Sequence, residues 1–332
     1  MLDHIIRYLK FIYSVVPTVK YLEQTITKSS FYLNLTKKRI TQQIKIQKYN
    51  VLIETTNLCN ARCLMCPHKD LQRPLNVMSD KVFEKIIQRL REEQLPINKI
   101  ILSGFGEPLT DRSFIKRLQK IKELGYFVKF YTNASLLTEK ISRKIVELGI
   151  EEINISFNGT APVEYKKIMG LDFKKTLKNI NKLLVIKKQL KSKYPIIRIS
   201  MILIKENKKS IKKHLKNWQD KVDSVTVSIA HSWGEIINEK KERLTYPCRS
   251  LWHTYSIDVN GDFTICCRDY ESKFILGNIM KNSFKDIQNN KILKQFREKH
   301  LFFKEKELPI ICRGCNFPYQ GGVEWWLPRS ID

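Results

Sequence analysis

From Val51 onward the chain alternates between two periodicities. Short apolar runs rich in β-branched residues, at 51–55, 99–103, 127–131, 152–157, 196–203 and 224–229, read as strands. Between them, near 79–94, 111–124, 138–148, 162–190 and 207–220, apolar residues recur at helical spacing. Strand and helix in regular succession predict an α/β class with a parallel sheet covered by helices. Periodicity by itself does not separate an open doubly wound sheet from a partial barrel. After about residue 245 the pattern changes. The stretch 255–266 reads as two strands joined at Asn260-Gly261, a strong hairpin signal, followed by a helix near 283–299 and a short cysteine-bearing loop. Ahead of the alternation, residues 1–47 are basic, and Leu2, Ile5, Ile6, Leu9, Ile12 and Val16 form a helical stripe. Such a stripe docks on the protein's own body more often than on lipid, so peripheral membrane contact through residues 1–17 is the lesser expectation.

Composition narrows the picture. A chain of 332 residues has room for one large domain and a smaller one. Hydrophobic content of 42% and charged content of 28% are ordinary for a globular protein. No run of about 18 uncharged apolar residues exists, which argues against a spanning helix. The N-terminus carries Asp3, His4, Arg7 and Lys10 and lacks the clean apolar segment of a secretion signal. Eight cysteines without such a signal point to a reducing compartment, the cytoplasm, where thiols bind metal rather than form bridges.

The net charge of +27 suggests nucleic acid or an anionic membrane at first sight. The basic residues are spread over every predicted helix, and the chain is rich in Lys, Ile and Asn together, as a compositional bias would make it. Nucleic acid is therefore not expected. A basic surface would also attract an acidic flavodoxin or ferredoxin as electron donor.

Chemistry enters with three cysteines in eight residues, Cys59-Asn60-Ala61-Arg62-Cys63-Leu64-Met65-Cys66, just after Val51-Leu52-Ile53. Three thiolates so close cannot all pair as disulfides, and tetrahedral zinc would want a fourth ligand. A four-iron, four-sulfur cube held by three cysteines keeps one iron without a protein ligand. An open metal position is where chemistry happens, by the logic that separates catalytic from structural zinc.

This Cys-x3-Cys-x2-Cys segment resembles the signature of the radical S-adenosylmethionine (SAM) enzymes. The resemblance covers roughly residues 48–320 and implies a partial (β/α)6 TIM barrel. It implies a [4Fe-4S] cluster on Cys59, Cys63 and Cys66 whose open iron binds the amino and carboxylate groups of SAM. SAM would then be cleaved to a 5′-deoxyadenosyl radical that takes a hydrogen atom from substrate.

Reactive groups in β/α barrels collect on the loops after strands. Gly104-Phe105-Gly106-Glu107-Pro108, after the second strand, looks like the family's glycine–glutamate motif. Its glycines would let backbone approach the ligand, and Glu107 can accept from the SAM ammonium. Asn133 ends the third strand. Ser156-Phe157-Asn158-Gly159 resembles the family's Ser-x-Asp-Gly segment, which meets the ribose or carboxylate of SAM; Asn158 stands where Asp is usual. Short polar residues in turns are otherwise ordinary turn formers. Met65 replaces the aromatic residue often found before the third cysteine and still offers adenine an apolar neighbour. The fifth strand around Ser200-Met201-Ile202 is the expected adenine wall, with Met201 the residue singled out.

A second set, Cys248, Cys266, Cys312 and Cys315, resembles the C-terminal SPASM/Twitch domains of radical SAM enzymes. Gly261-x4-Cys266, Cys312-Arg313-Gly314-Cys315, Trp252 and Leu276-Gly277-Asn278 carry that likeness. It implies one auxiliary [4Fe-4S] cluster, fully ligated and so suited to accept an electron. A structural zinc tolerates the same spacing. Cys266 and Cys267 compete for one position, and Gly-x4-Cys favours Cys266. The expected organisation is a basic amphipathic extension (1–47), a radical SAM core (48–245), and a small α+β auxiliary-cluster domain with its tail (246–332).

His231 and Trp233 follow the sixth strand, facing the predicted mouth. His231 is a candidate catalytic residue, although a lone histidine more often serves structure. Trp325-Trp326 read as core packing. Relatives with a single four-cysteine auxiliary cluster include an aminocyclitol alcohol dehydrogenase, in which that cluster receives the electron left on the substrate radical. The resemblance thus implies oxidation or rearrangement of a sugar-like small molecule. The alternative is a peptide-modifying maturase, although residues 1–47 show no strand–helix module of the peptide-binding kind. A basic nucleic-acid- or membrane-binding protein with structural metals would be a different class altogether.

Overall fold

A computed structural model describes residues 48–231, 233, 248, 250–301, 307–313 and 315. The stripe at 1–17 and Trp325-Trp326 lie outside these. Strands β1 (Tyr49–Ile53), β2 (Ile97–Leu102), β3 (Val128–Thr132), β4 (Glu152–Ser156), β5 (Ile196–Leu203) and β6 (Ser224–Ile229) fall where the apolar runs predict them. Each neighbouring pair is parallel. Their spatial order is their chain order. A doubly wound sheet reverses direction at a switch point. This one never does, so right-handed crossovers place the helices on one face, as in a barrel.

The intervening helices are α1 (Asp80–Glu93), α2 (Phe114–Glu123), α3 (Glu139–Glu147), α4 (Pro162–Met169), α5 (Phe173–Gln189) and α6 (Ile211–Trp218). Their starts are written locally: the Ser79, Thr138 and Asp172 side chains accept from the amides of Val82, Ile141 and Lys175. The stretch 162–190, expected as one helix, is two. Gly170 turns left-handed at φ 71° and ends α4, and Asp172 caps α5.

Alternate strand residues face the helices and form the core. Val51, Ile53, Ile100, Leu102, Phe130, Ile153 and Ile199 are fully buried, together with Ile86, Leu90 and Leu118 of the helices. The opposite face carries charged and polar side chains among a few apolar ones. Glu152 bridges Lys129 and Arg198 across three strands, at 2.7 Å to each. One face built for packing and one for polar contents is the pattern of a barrel interior.

The C-terminal region does not fold apart from this sheet. After a helical turn, α7 (Ser250–His253), strand β7 (Thr254–Ile257) adds to the other edge of β1 in parallel, with Val51 opposite Tyr255. The hairpin expected at Asn260-Gly261 joins β7 to β8 (Asp262–Thr264), and Gly261 supplies φ +83°. The Asp258 side chain closes it, accepting from the amides of Asn260 and Asp262 and from the Ser272 hydroxyl. Strand β9 (Ile275–Asn278), not predicted, completes a nine-stranded sheet of order β6-β5-β4-β3-β2-β1-β7-β8-β9. The helix expected at 283–299 is also two, α8 (Phe284–Gln288) and α9 (Lys291–Leu301), with Asn290 Oδ1 accepting from the first amides of α9. Among the described residues no helix is long and apolar enough to cross a membrane.

Candidate active site and a second cysteine site

The three-cysteine loop leaves the carboxyl end of β1 and is held from two sides. The amides of Arg62 and Leu64 each donate, at 2.9 Å, to the last carbonyls of α4, Met169 and Ile168. Asn60 reaches across to the end of β3, donating to Ser135 Oγ and accepting from Asn133 Nδ2. The Cys66 amide donates to the Cys63 carbonyl at 3.1 Å, which curls the loop back on itself. Burial pushes the Cys59 thiol up to about 11 and raises Cys63 and Cys66 as well; the neighbouring thiolates add repulsion at Cys59 and Cys63. Thiolates so costly to form in isolation suit a cationic iron–sulfur cube, whose charge draws off their protons.

Glu107, at the carboxyl end of β2, is 2% exposed. Its carboxylate accepts from the Thr132 hydroxyl and the Asn133 amide at 2.6 Å each, and from the Leu109 amide at 3.3 Å. A carboxylate has about four acceptor positions, so roughly one is left for a ligand's ammonium. Burial raises Glu107 to about 7, and those three donors only partly offset it.

Gly104 and Gly106 are needed for the chain's own packing, whatever else they admit. A Cβ on Gly106 would lie 2.3 Å from the Thr56 carbonyl oxygen, and one on Gly104 would lie 2.3 Å from Glu54 Cγ. Glu54 is a site residue that sequence reading missed. It forms a paired contact with Arg73, 2.7 and 2.8 Å, and accepts from the Phe105 amide at 2.8 Å. Phe105 in turn sits between Trp233 and Tyr270, with ring centroids 5.6 and 6.0 Å away. A buried Glu at the end of an apolar run was the available signal; its partner, 19 residues on, had none.

Three predicted positions stand differently from expectation. Met201 is fully buried and shares its face with Ile197 and Ile199, toward the helices. Side chains alternate along a strand, so of the expected stretch Ser200-Met201-Ile202 it is Ser200 and Ile202 that face the interior. Asn158 is 2% exposed, accepts from the Ile202 amide at 2.7 Å and donates to the Met169 sulfur, which makes it a brace between β4 and β5. Ser156 lies at the carboxyl end of β4, half-buried, on the interior face. His231, the candidate catalytic group, has both ring nitrogens engaged. Nδ1 accepts from the Trp233 amide at 2.8 Å, and Nε2 lies 3.6 Å from Cys315 Sγ. Burial and the Arg268 cation push it down to about 2. Met65 is buried, and its carbonyl accepts from the Trp233 indole at 2.9 Å.

The second site is assembled from three segments. One pocket is lined by Cys248, before α7; by Cys266 and Cys267, after β8; and by Cys312 and Cys315 near the C-terminus. Burial pushes Cys248 up to about 12 and raises Cys266 and Cys312, and neighbouring thiolates add to each. Five thiols in one pocket exceed the four that a tetrahedral zinc or a fully ligated cube takes. Cys267, expected as a spare in the core, shares the pocket.

A singly wound β/α sheet with a half-buried three-thiol loop at its strand ends has the make-up of a barrel enzyme built around a metal cluster. The chain matches the radical SAM superfamily over residues 53–217 and an iron–sulfur cluster-binding domain, SPASM, over residues 248–316. It belongs to the radical SAM superfamily, and its cofactors are SAM and [4Fe-4S] clusters. It is 27% identical over 161 residues to the tungsten-containing aldehyde ferredoxin oxidoreductase cofactor-modifying protein of Pyrococcus furiosus, covering 48% of this chain and 45% of that one. To a probable GTP 3′,8-cyclase of Thermococcus kodakarensis it is 30% identical over 125 residues, 37% and 39% of the two chains. The chain thus spans less than half the length of these curated relatives. The structure of BtrN in complex with AdoMet and 2-DOIA matches with a TM-score of 0.58 at 18% identity, over 81% of this chain and 93% of that one. Streptococcus suis SuiB bound to precursor peptide SuiA matches at 0.62 and 14%, over 78% and 69%. Identities this low speak to the fold alone.

Proposed function

We propose that this enzyme oxidises a small, hydroxyl-bearing, sugar-like metabolite rather than modifying a peptide. The observation that carries the reading is the single pocket holding every cysteine outside the first loop. Those cysteines suffice for one auxiliary cluster with all irons ligated by protein, which leaves no iron for substrate and suits electron acceptance. Cys59, Cys63 and Cys66 would hold the SAM-binding cluster, and Cys248, Cys266, Cys312 and Cys315 the auxiliary one. Bound there, these groups supply reductive cleavage of SAM, abstraction of a substrate hydrogen atom, and a place for the electron left behind. The chain's own residues do the rest. Glu107 offers its remaining acceptor position to the SAM ammonium, and Gly104 and Gly106 keep the β2 loop against β1. A basic chain of net charge +27 suits an acidic flavodoxin or ferredoxin as donor.

The test is anaerobic reconstitution with iron and sulfide, then dithionite and SAM, with deuterated candidates added in turn. Aminocyclitols and sugars should stimulate 5′-deoxyadenosine formation and pass deuterium into it. Stimulation and deuterium transfer confined to peptides would overturn the substrate class. No 5′-deoxyadenosine from the wild type under any condition would overturn the chemistry itself.

A further inference from the structure

His231 belongs to a bracket that spans both cysteine sites. Its Nδ1 accepts from the Trp233 amide at 2.8 Å, and an accepting ring nitrogen carries no proton. The neutral imidazole therefore keeps its proton on Nε2, and Nε2 lies 3.6 Å from Cys315 Sγ. The larger radius of sulfur makes that a donor contact from N–H to S. His231 is only 5% exposed, so the contact is sheltered from water.

The geometry is held in place at some cost. Trp233 adopts a left-handed φ of 49°, which a bulky residue rarely does unless its surroundings impose it. Its indole N–H donates at 2.9 Å to the carbonyl of Met65, the residue before Cys66. Its ring packs against the His231 ring at 4.7 Å, and the Arg268 guanidinium lies 4.9 Å from its centroid. The Arg268 amide donates to Cys266 Sγ at 3.3 Å. One tryptophan thus ties the loop of the first site to two thiols of the second.

We propose that His231 is a positioning residue that sets the reduction potential of the auxiliary cluster by donating an Nε2–H hydrogen bond to Cys315. Hydrogen bonds to ligand sulfur favour the reduced, more negative cluster and so raise its potential. This rests on Cys315 being a ligand of the auxiliary cluster. A charge-assisted hydrogen bond corresponds to about a tenfold change in the reduction equilibrium, and tenfold is 59 mV for one electron.

The experiment is an EPR-monitored redox titration of the reconstituted two-cluster enzyme. The signal that does not respond to SAM is followed as the auxiliary cluster's. His231→Leu should move its midpoint to more negative potential by about the amount stated, whereas His231→Gln, which keeps an N–H donor, should stay near wild type. If His231→Leu fails to load iron while His231→Gln loads fully at the wild-type midpoint, the need for a donor is likewise supported. An unchanged midpoint in His231→Leu, equal shifts in both variants, or loss of auxiliary iron in His231→Gln would each overturn the proposal. Iron analysis separates this from failure of the cluster reading, since wild-type protein with about four irons instead of about eight has no auxiliary cluster to tune.

Discussion

The two cysteine sites are built in opposite ways. Cys59, Cys63 and Cys66 come from eight consecutive residues of one loop, whereas the second site draws on segments 248, 266–267 and 312–315. Closing the first costs little chain entropy; closing the second means bringing distant segments together. The first is braced by buried polar contacts from β1, β2, β3 and the end of α4. The second depends on β7 joining the edge of β1 and on His300 of α9, whose Nδ1 accepts from the Cys248 amide. A site made locally and braced all round should fail only when its own residues change. A site made at a distance should also fail when its scaffold lets go.

The largest effect should come from the ligands. Cys59→Ala should abolish 5′-deoxyadenosine formation and cut iron from about eight to about four per chain. Cys312→Ala should lose the same iron yet still cleave SAM. Matching activities in the two variants would erase the distinction between the sites.

The glycines test the scaffolds. Gly106→Ala drives a Cβ into the carbonyl oxygens of Thr56 and Leu58, backbone that cannot yield, and should cost the first cluster alone. Gly261→Ala combines φ +83° with contacts at 2.7 Å to Ile279 and 2.9 Å to Val82, and should cost the second alone. Visible and EPR spectra of the reconstituted variants tell the two losses apart.

Next comes the buried pair. Arg73→Met removes the partner of the buried Glu54 side chain and should destabilise the protein by about 3–5 kcal/mol in anaerobic urea unfolding. Loss below 1 kcal/mol would mean that water reaches Glu54.

Glu107 should give the first site a pH dependence of its own. Its pKa of about 7 in the folded chain lies above the unfolded carboxylate range. The native state thus holds its proton longer, and stability falls as pH rises toward 7 and levels off beyond. Without SAM, the wild type should lose about 1 kcal/mol between pH 6 and 8 relative to Glu107→Gln. Parallel curves for the two proteins would refute the shift.

The smallest change should be Gly125→Ala. Its φ of +77° strains the backbone, but no atom lies within 4 Å of the added methyl, so about 1 kcal/mol is expected with both clusters intact.

Much of this could be read in advance where the information is local. Strands β5 and β6 lie where the apolar runs at 196–203 and 224–229 place them. The turn at Asn260-Gly261 was legible because only glycine tolerates that φ cheaply. Other features were not. Which of Ser200, Met201 and Ile202 meets the interior was not legible, because a short apolar strand shows its period but not which side meets the helices. Asn158 and Glu107 look like ligand contacts in a motif, and only packing reveals that their polar atoms serve the chain first. The helix at 162–190 hid a break because its hydrophobic period runs on through Gly170.

By itself the sequence determined the strand–helix succession, the three-thiol loop and the family to which they belong. These depend on contacts within a few residues, where periodicity and spacing are sufficient. Only the tertiary structure decided that β7 joins β1, that five cysteines share one pocket, and that His231 and Trp233 bracket the two sites. Those facts rest on pairs separated by tens to hundreds of residues. Nothing in the local pattern specifies them, because they arise from sheet register and packing of the whole.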